Sequence, residues 1–119
     1  MKNLVYAVAI SALTVLCAAP TFVSAASPAS YDVAASNWKF TPGIITVHVG
    51  ETTTLRVTSK EGVHSIGSSD LGIPETVLTP GKYVTLTFTP KKAGTYQLHC
   101  ALPCGPGHPD MMLVVKVVQ

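Results

Sequence analysis

The sequence predicts an all-β protein, a sandwich or barrel of about seven or eight short strands. Three observations carry this. Apolar and polar residues alternate at period two over several short runs, the pattern of a strand with one face toward a core. Gly and Pro, nine of each in 119 residues, punctuate the intervals between those runs. No window carries the 3.6-residue period of an amphipathic helix.

The first 25 residues have a charged start at Lys2, an apolar run from Leu4 to Ala19 and a small-residue end, Val23-Ser24-Ala25. This is the layout of a cleavable secretory signal. The alternative is an uncleaved membrane anchor, because an apolar run of about 18 residues can span a bilayer. Pro20 and the small residues after it favour cleavage after Ala25. Leu16, just before Cys17, is bulky where a lipoprotein cut needs a small residue. Residues 26–36, opening "ASPASYD", read as a polar linker running into the first strand, and residues 37–119 as the domain. The expected location is therefore exported, periplasmic and oxidising, with membrane contact only if the leader stays attached.

Within the domain, "IITVHVG" places Ile45, Val47 and Val49 on one face and Thr46 and His48 on the other. "TTLRVTS" alternates Leu55 and Val57 with Arg56 and Thr58, and "KYVTLTFTP" alternates Val84, Leu86 and Phe88 with Thr85 and Thr87. In "GTYQLHC", Tyr96, Leu98 and Cys100 share a face, and a Val-rich run, Met112–Val118, follows. "TPG", "VGE", "TPGK" and "KKAG" supply the turns. Trp38 reads as an aromatic packed at a sheet edge.

A net charge of +2 with no basic stripe gives no footprint for nucleic acid. There is no nucleophile–base pair, carboxylate dyad or phosphate loop, so an enzyme is not expected. The chemistry lies in "CALPCGPGHPDMM", with the spacing Cys100-x3-Cys104-x3-His108-x2-Met111. Thiolate, imidazole and thioether together select copper over hard cations, whereas zinc sites use Cys and His without Met. Such a site needs a ligand from elsewhere in the chain, and His64 in "EGVHSIG" is the candidate. His48 and His99 face away from their apolar neighbours and read as surface. Leu71, Ile73, Leu102, Pro103 and Pro106 are expected to form an apolar rim that keeps water off the metal.

This ligand pattern, with Val63-His64-Ser65 upstream and "PGKYVTLTFTPKKAGTYQLHC" between, resembles the CuA domain of cytochrome c oxidase subunit II and the related domain of nitrous oxide reductase. The likeness runs from about Trp38 to the end, and "NWKFTPGIITVHVGE" is similar to that family's opening strands. The resemblance implies a cupredoxin-like Greek-key β-sandwich holding two copper ions. It further implies that Cys100 and Cys104 bridge both ions, that His64 and His108 each serve a different ion, and that Met111 and the backbone carbonyl of Leu102 are weak ligands. Met112 would then be core. Leu102 stands where the family usually has a carboxylate that helps hold a magnesium, so no magnesium site is expected. The implied role is electron transfer with a redox protein, a cytochrome c-like donor or an oxidase acceptor. Three other readings use the same residues: a Cys100–Cys104 disulfide, a mononuclear blue-copper site on His64, Cys104, His108 and Met111, and copper delivery to an oxidase.

Overall fold

The computed structural model describes residues 12–22 and 27–119. The expected leader lies largely outside these residues, as does its cut after Ala25. Residues 12–22 carry neither helix nor strand and are exposed. Among the described residues no helix is long and apolar enough to cross a membrane.

Nine strands follow: β1 (Ala29–Ser36), β2 (Lys39–Thr41), β3 (Ile44–His48), β4 (Thr53–Ser59), β5 (His64–Ser68), β6 (Ile73–Leu78), β7 (Tyr83–Phe88), β8 (Gly94–His99) and β9 (Met112–Val118). They form two sheets, ordered β2-β1-β4-β7 and β3-β9-β8-β5-β6. The β1/β4 and β3/β9 pairs are parallel, the remaining pairs antiparallel. The fold is all-β, as the period-two runs predict, and it has one or two strands more than expected.

The alternating runs became strands with the expected faces. In β3, Ile45 and Val47 are buried while Thr46 and His48 are exposed. In β4, Leu55 and Val57 point inward, and in β7, Leu86 and Phe88 do so. Together with Val33, Phe40, Ile66, Leu98, Leu113, Val115 and Val117 they fill the space between the sheets. Each such side chain contributes about 1.5–3 kcal/mol by leaving water.

Strands β1, β5 and β6 lack a legible alternation. β1 begins inside the stretch read as a linker, where its small residues hide the period; it pairs in parallel with β4 from Ala29↔Thr53 to Ala35↔Ser59. β5 is buried on both faces from His64 through Gly67, so it shows no polar side. β6 is an edge strand buried only at its ends, Ile73 and Leu78. Two neighbouring strands, β8 and β9, bound the loop that carries most of the chemistry. Their last pair, His99↔Met112, closes residues 100–111 into a loop at one end of the sandwich.

Candidate metal centre

The loop is pinned shut at its base. The Cys100 amide donates to the Met111 carbonyl at 3.3 Å, so the first and last candidate ligands of the loop are held together. Inside, the His108 amide donates to the Gly105 carbonyl at 3.1 Å and the Met111 amide to the His108 carbonyl at 3.2 Å, winding a short 3-10 turn, His108–Asp110. Pro109 in that turn has no amide proton to satisfy, which suits the first turn of a helix.

These turns bring four side chains together. Cys100 Sγ lies 3.5 Å from Cys104 Sγ. Around Cys104 Sγ sit His108 Nδ1 at 3.7 Å and Met111 Sδ at 3.9 Å. The Leu102 carbonyl oxygen lies 3.4 Å from Cys100 Sγ. Cys100 and Met111 are buried, Cys104 and His108 half-buried.

His64 arrives from the first position of β5. One of its ring nitrogens and the two thiols lie within 4.8 Å of one another. The ring is fully buried. Its Nε2 meets the Glu61 carbonyl at 2.8 Å. A carbonyl only accepts, so Nε2 carries the proton and Nδ1 keeps a lone pair. That Nδ1 is buried with no hydrogen-bond partner. An orphaned buried polar atom costs about 1–3 kcal/mol. A lone pair kept bare beside two thiols, with an imidazole and a thioether at hand, fits a soft metal ion. Orientation through the opposite ring nitrogen is how metal-binding histidines are usually held.

Charge and hydrogen bonding tune the sulfurs. The Ser65 amide donates to Cys100 Sγ at 3.4 Å. Burial, and then the hydrogen bond and charge of neighbouring Cys100, push the Cys104 thiol above its ordinary value. Without metal, Cys104 is a thiol at neutral pH, and a metal must displace its proton.

Residues 7–115 match the cupredoxin-like domain. This chain belongs to the cupredoxin-like family. Solved structures agree on the fold. The periplasmic domain of subunit II of cytochrome oxidase from Bradyrhizobium japonicum superposes with a TM-score of 0.69 at 17% identity, over 76% of this chain and 84% of that one. A chain of a heme-copper terminal oxidase dimer gives 0.64 at 25% identity, over 76% and 65%. Auracyanin A, a "blue" copper protein from Chloroflexus aurantiacus, gives 0.61 at 22% identity, over 76% and 99%. No curated protein matches the sequence.

In this cupredoxin-like domain all six expected site positions, His64, Cys100, Leu102, Cys104, His108 and Met111, meet at one end of the sandwich. His48 and His99 are exposed, on the outward faces the alternation assigned to them. Three expectations need correction. Met112 is half-buried rather than core, because the 3-10 turn brings Met111 inward, 1% exposed. Leu71 does not rim the site: it lies at the opposite end with Thr89, Pro90 and Tyr96. Ile73 is displaced the same way, since β6 runs antiparallel to β5 and sets Ile73 against Ser68 and Leu78 against His64.

Trp38 is not simple sheet-edge packing: it lies under the ligand loop. Its indole Nε1–H donates to the Cys104 carbonyl at 3.0 Å. A Cβ on Gly105 would come within 2.5 Å of the indole nitrogen, and one on Gly107 within 2.7 Å of the ring Cγ. Gly105 also has φ of 135°, outside the range of ordinary side chains. Both glycines exist so the loop can lie flat on the ring. The signal available in the sequence was the Gly-x-Gly of "CGPGH" facing a lone Trp, which names no partner by itself. Ser65 and Glu75 were also missed. Ser65 Oγ accepts from the Ala101 amide at 2.9 Å and the Leu102 amide at 3.3 Å, and it donates to Glu75.

Proposed function

We propose that this cupredoxin-like domain is an exported electron carrier whose site holds two copper ions as a CuA centre. The observation that carries the reading is the closeness of two thiols, 3.5 Å apart, beside a buried histidine whose Nδ1 has no partner. In this reading Cys100, Cys104, His64 and His108 would hold the two ions, with Met111 and the Leu102 carbonyl as weak ligands. The bound pair supplies a one-electron couple whose charge is spread over two ions.

The chain's own residues make that couple usable. The closed β8–β9 loop keeps the thiolates, imidazole and thioether in place, so little rearranges when an electron arrives. Met111, Leu78 and Ile66, all buried, keep water from the inner side. His108 is half-buried on the outer side among exposed Pro103, Pro106 and Pro109. That face is where a redox protein, a cytochrome c-like donor or an oxidase acceptor, approaches. The likeness to a periplasmic oxidase domain and the signal-like leader support a periplasmic setting.

A mononuclear blue-copper site is the second reading. It is favoured by the likeness to auracyanin A and by the crowding of His108 Nδ1 and Met111 Sδ around Cys104 alone. Cys100→Ser separates the two. The two-copper reading predicts that this variant loses the native spectrum and half or more of its copper. If the variant keeps one copper with an unchanged intense blue spectrum, the single-ion reading stands instead. Copper delivery uses the same ligands, and is distinguished by transfer of the metal to an apo-oxidase domain, which a carrier resists.

A further inference from the structure

Glu75 stands out because nothing in the sandwich explains it. It lies exposed on the edge strand β6. Among the described residues the single ion pair, Arg56–Asp32, does not involve it. Its carboxylate instead turns inward over β5 toward the ligand loop. Oε1 accepts the Ser65 hydroxyl and the Ala101 amide, the latter at 3.1 Å. The Ser65 oxygen meanwhile accepts the Ala101 amide at 2.9 Å and the Leu102 amide at 3.3 Å. The single Ala101 amide hydrogen is shared between Ser65 Oγ and Glu75 Oε1 as a three-centre bond, while the Ser65 hydroxyl accepts from both amides and gives its own hydrogen to the carboxylate, which can only accept.

The crossing depends on Gly67. β5 pairs with β8 at Gly67↔His99, and continuing that antiparallel register by two residues sets Ser65 opposite Ala101. The β5–β6 register shifts between Ile66 and Ser68. A Cβ on Gly67 would lie 2.8 Å from Glu75 Cα and 3.0 Å from its amide nitrogen, and would overlap the carboxylate. The bare backbone at 67 lets Glu75 lie across it. φ at Gly67 is not positive, so the backbone conformation does not require glycine and the space above it does.

We propose that Glu75 is a positioning residue for the ligand loop. With Ser65 it clamps the Ala101 and Leu102 peptide units, and its carboxylate sets a fixed negative charge beside Cys100. The clamp stands on the hydrogen bonds alone; the effect of the charge rests on the copper-carrier reading. Leu102, whose amide the clamp holds, is also the residue whose carbonyl faces Cys100 Sγ at 3.4 Å. An anion near the site favours the more positive, oxidised state and lowers the reduction potential.

Three variants of the full chain test this: Glu75→Ala, Glu75→Gln and Gly67→Ala. In the metal-free protein, amide exchange is followed by NMR. Glu75→Ala and Gly67→Ala speed exchange at Ala101 and Leu102 by roughly tenfold or more, as expected for loss of a charge-assisted hydrogen bond. Leu98 and Leu113, in the core, keep their protection. Glu75→Gln retains an acceptor oxygen but not the charge: exchange changes little, while the midpoint potential of the copper-loaded protein rises at unchanged copper content. A purely structural role would leave that potential where it is. Wild-type exchange rates at Ala101 and Leu102 in both Glu75→Ala and Gly67→Ala overturn the clamp, and so does a loss of protection throughout the core. An unmoved potential in Glu75→Gln overturns the role of the charge. If the wild-type chain takes up no copper, the carrier reading fails while the exchange measurements still decide the clamp.

Discussion

His64 is held by a backbone carbonyl at one ring nitrogen and left bare at the other, and the same economy recurs at Trp38. One hydrogen bond to the Cys104 carbonyl and one flat face against Gly105 and Gly107 fix the outer half of the loop. Trp38→Ala removes both. Full burial of a Trp would make the loss about 3–5 kcal/mol. Trp38 is 36% exposed, so a loss of about 2 kcal/mol is expected in urea denaturation, together with faster release of bound copper to a chelator. The chemistry-bearing residues at this scale were legible because their types are rare and their spacing is tight: two Cys, a His and a Met within 12 residues of one another. Trp38, Ser65 and Glu75 were not. Their roles come from crossings between segments 10 to 66 residues apart in sequence, and no local pattern encodes which loop a side chain will lie against.

Among the elements, β8 and β9 matter most, since they are the rails on which the loop is mounted. Leu98 is fully buried two residues before Cys100, and its strand partner is Leu113, two residues after Met111. Leu98→Ala opens a cavity at the base of the loop. Its expected cost is about 2–5 kcal/mol, read as a lower denaturation midpoint with an unchanged slope. A midpoint close to wild type would mean that the loop base is less tightly packed than the burial of Leu98 implies. Of the strands legible beforehand, β3, β4, β7 and β8 have one buried and one largely polar face, and β9 is a Val-rich run. β5 escaped because it is buried on both, and β1 because Ala, Ser and Asp dominate it. The misplaced rim has the same origin: without the β5–β6 register, Leu71 and Ile73 could not be assigned to an end of the sandwich.

For the whole molecule, the site couples stability to protons and to metal. The folded chain raises the Cys104 thiol above its ordinary value of 9.0, chiefly through burial. In the range between those two values the folded state holds a proton that the unfolded chain releases. The stabilisation is therefore complete below about pH 9 and is lost as pH rises through the folded value. Thermal melts of the metal-free protein are expected to fall over that range, and Cys104→Ser is expected to flatten the dependence. In the copper-carrier reading the metal would act in the opposite direction on the same thiols: uptake would expel their protons and stabilise the fold by binding only the native state. The proposed site lies at one end of the sandwich that the nine strands of the described residues form. The central claim is that its two sulfurs share a pair of metal ions. Copper content and the EPR spectrum of the reconstituted, oxidised protein test it most directly. The account predicts about two coppers per chain and a hyperfine pattern from one unpaired electron spread equally over both. One copper per chain, with the hyperfine pattern of a single ion, would contradict it.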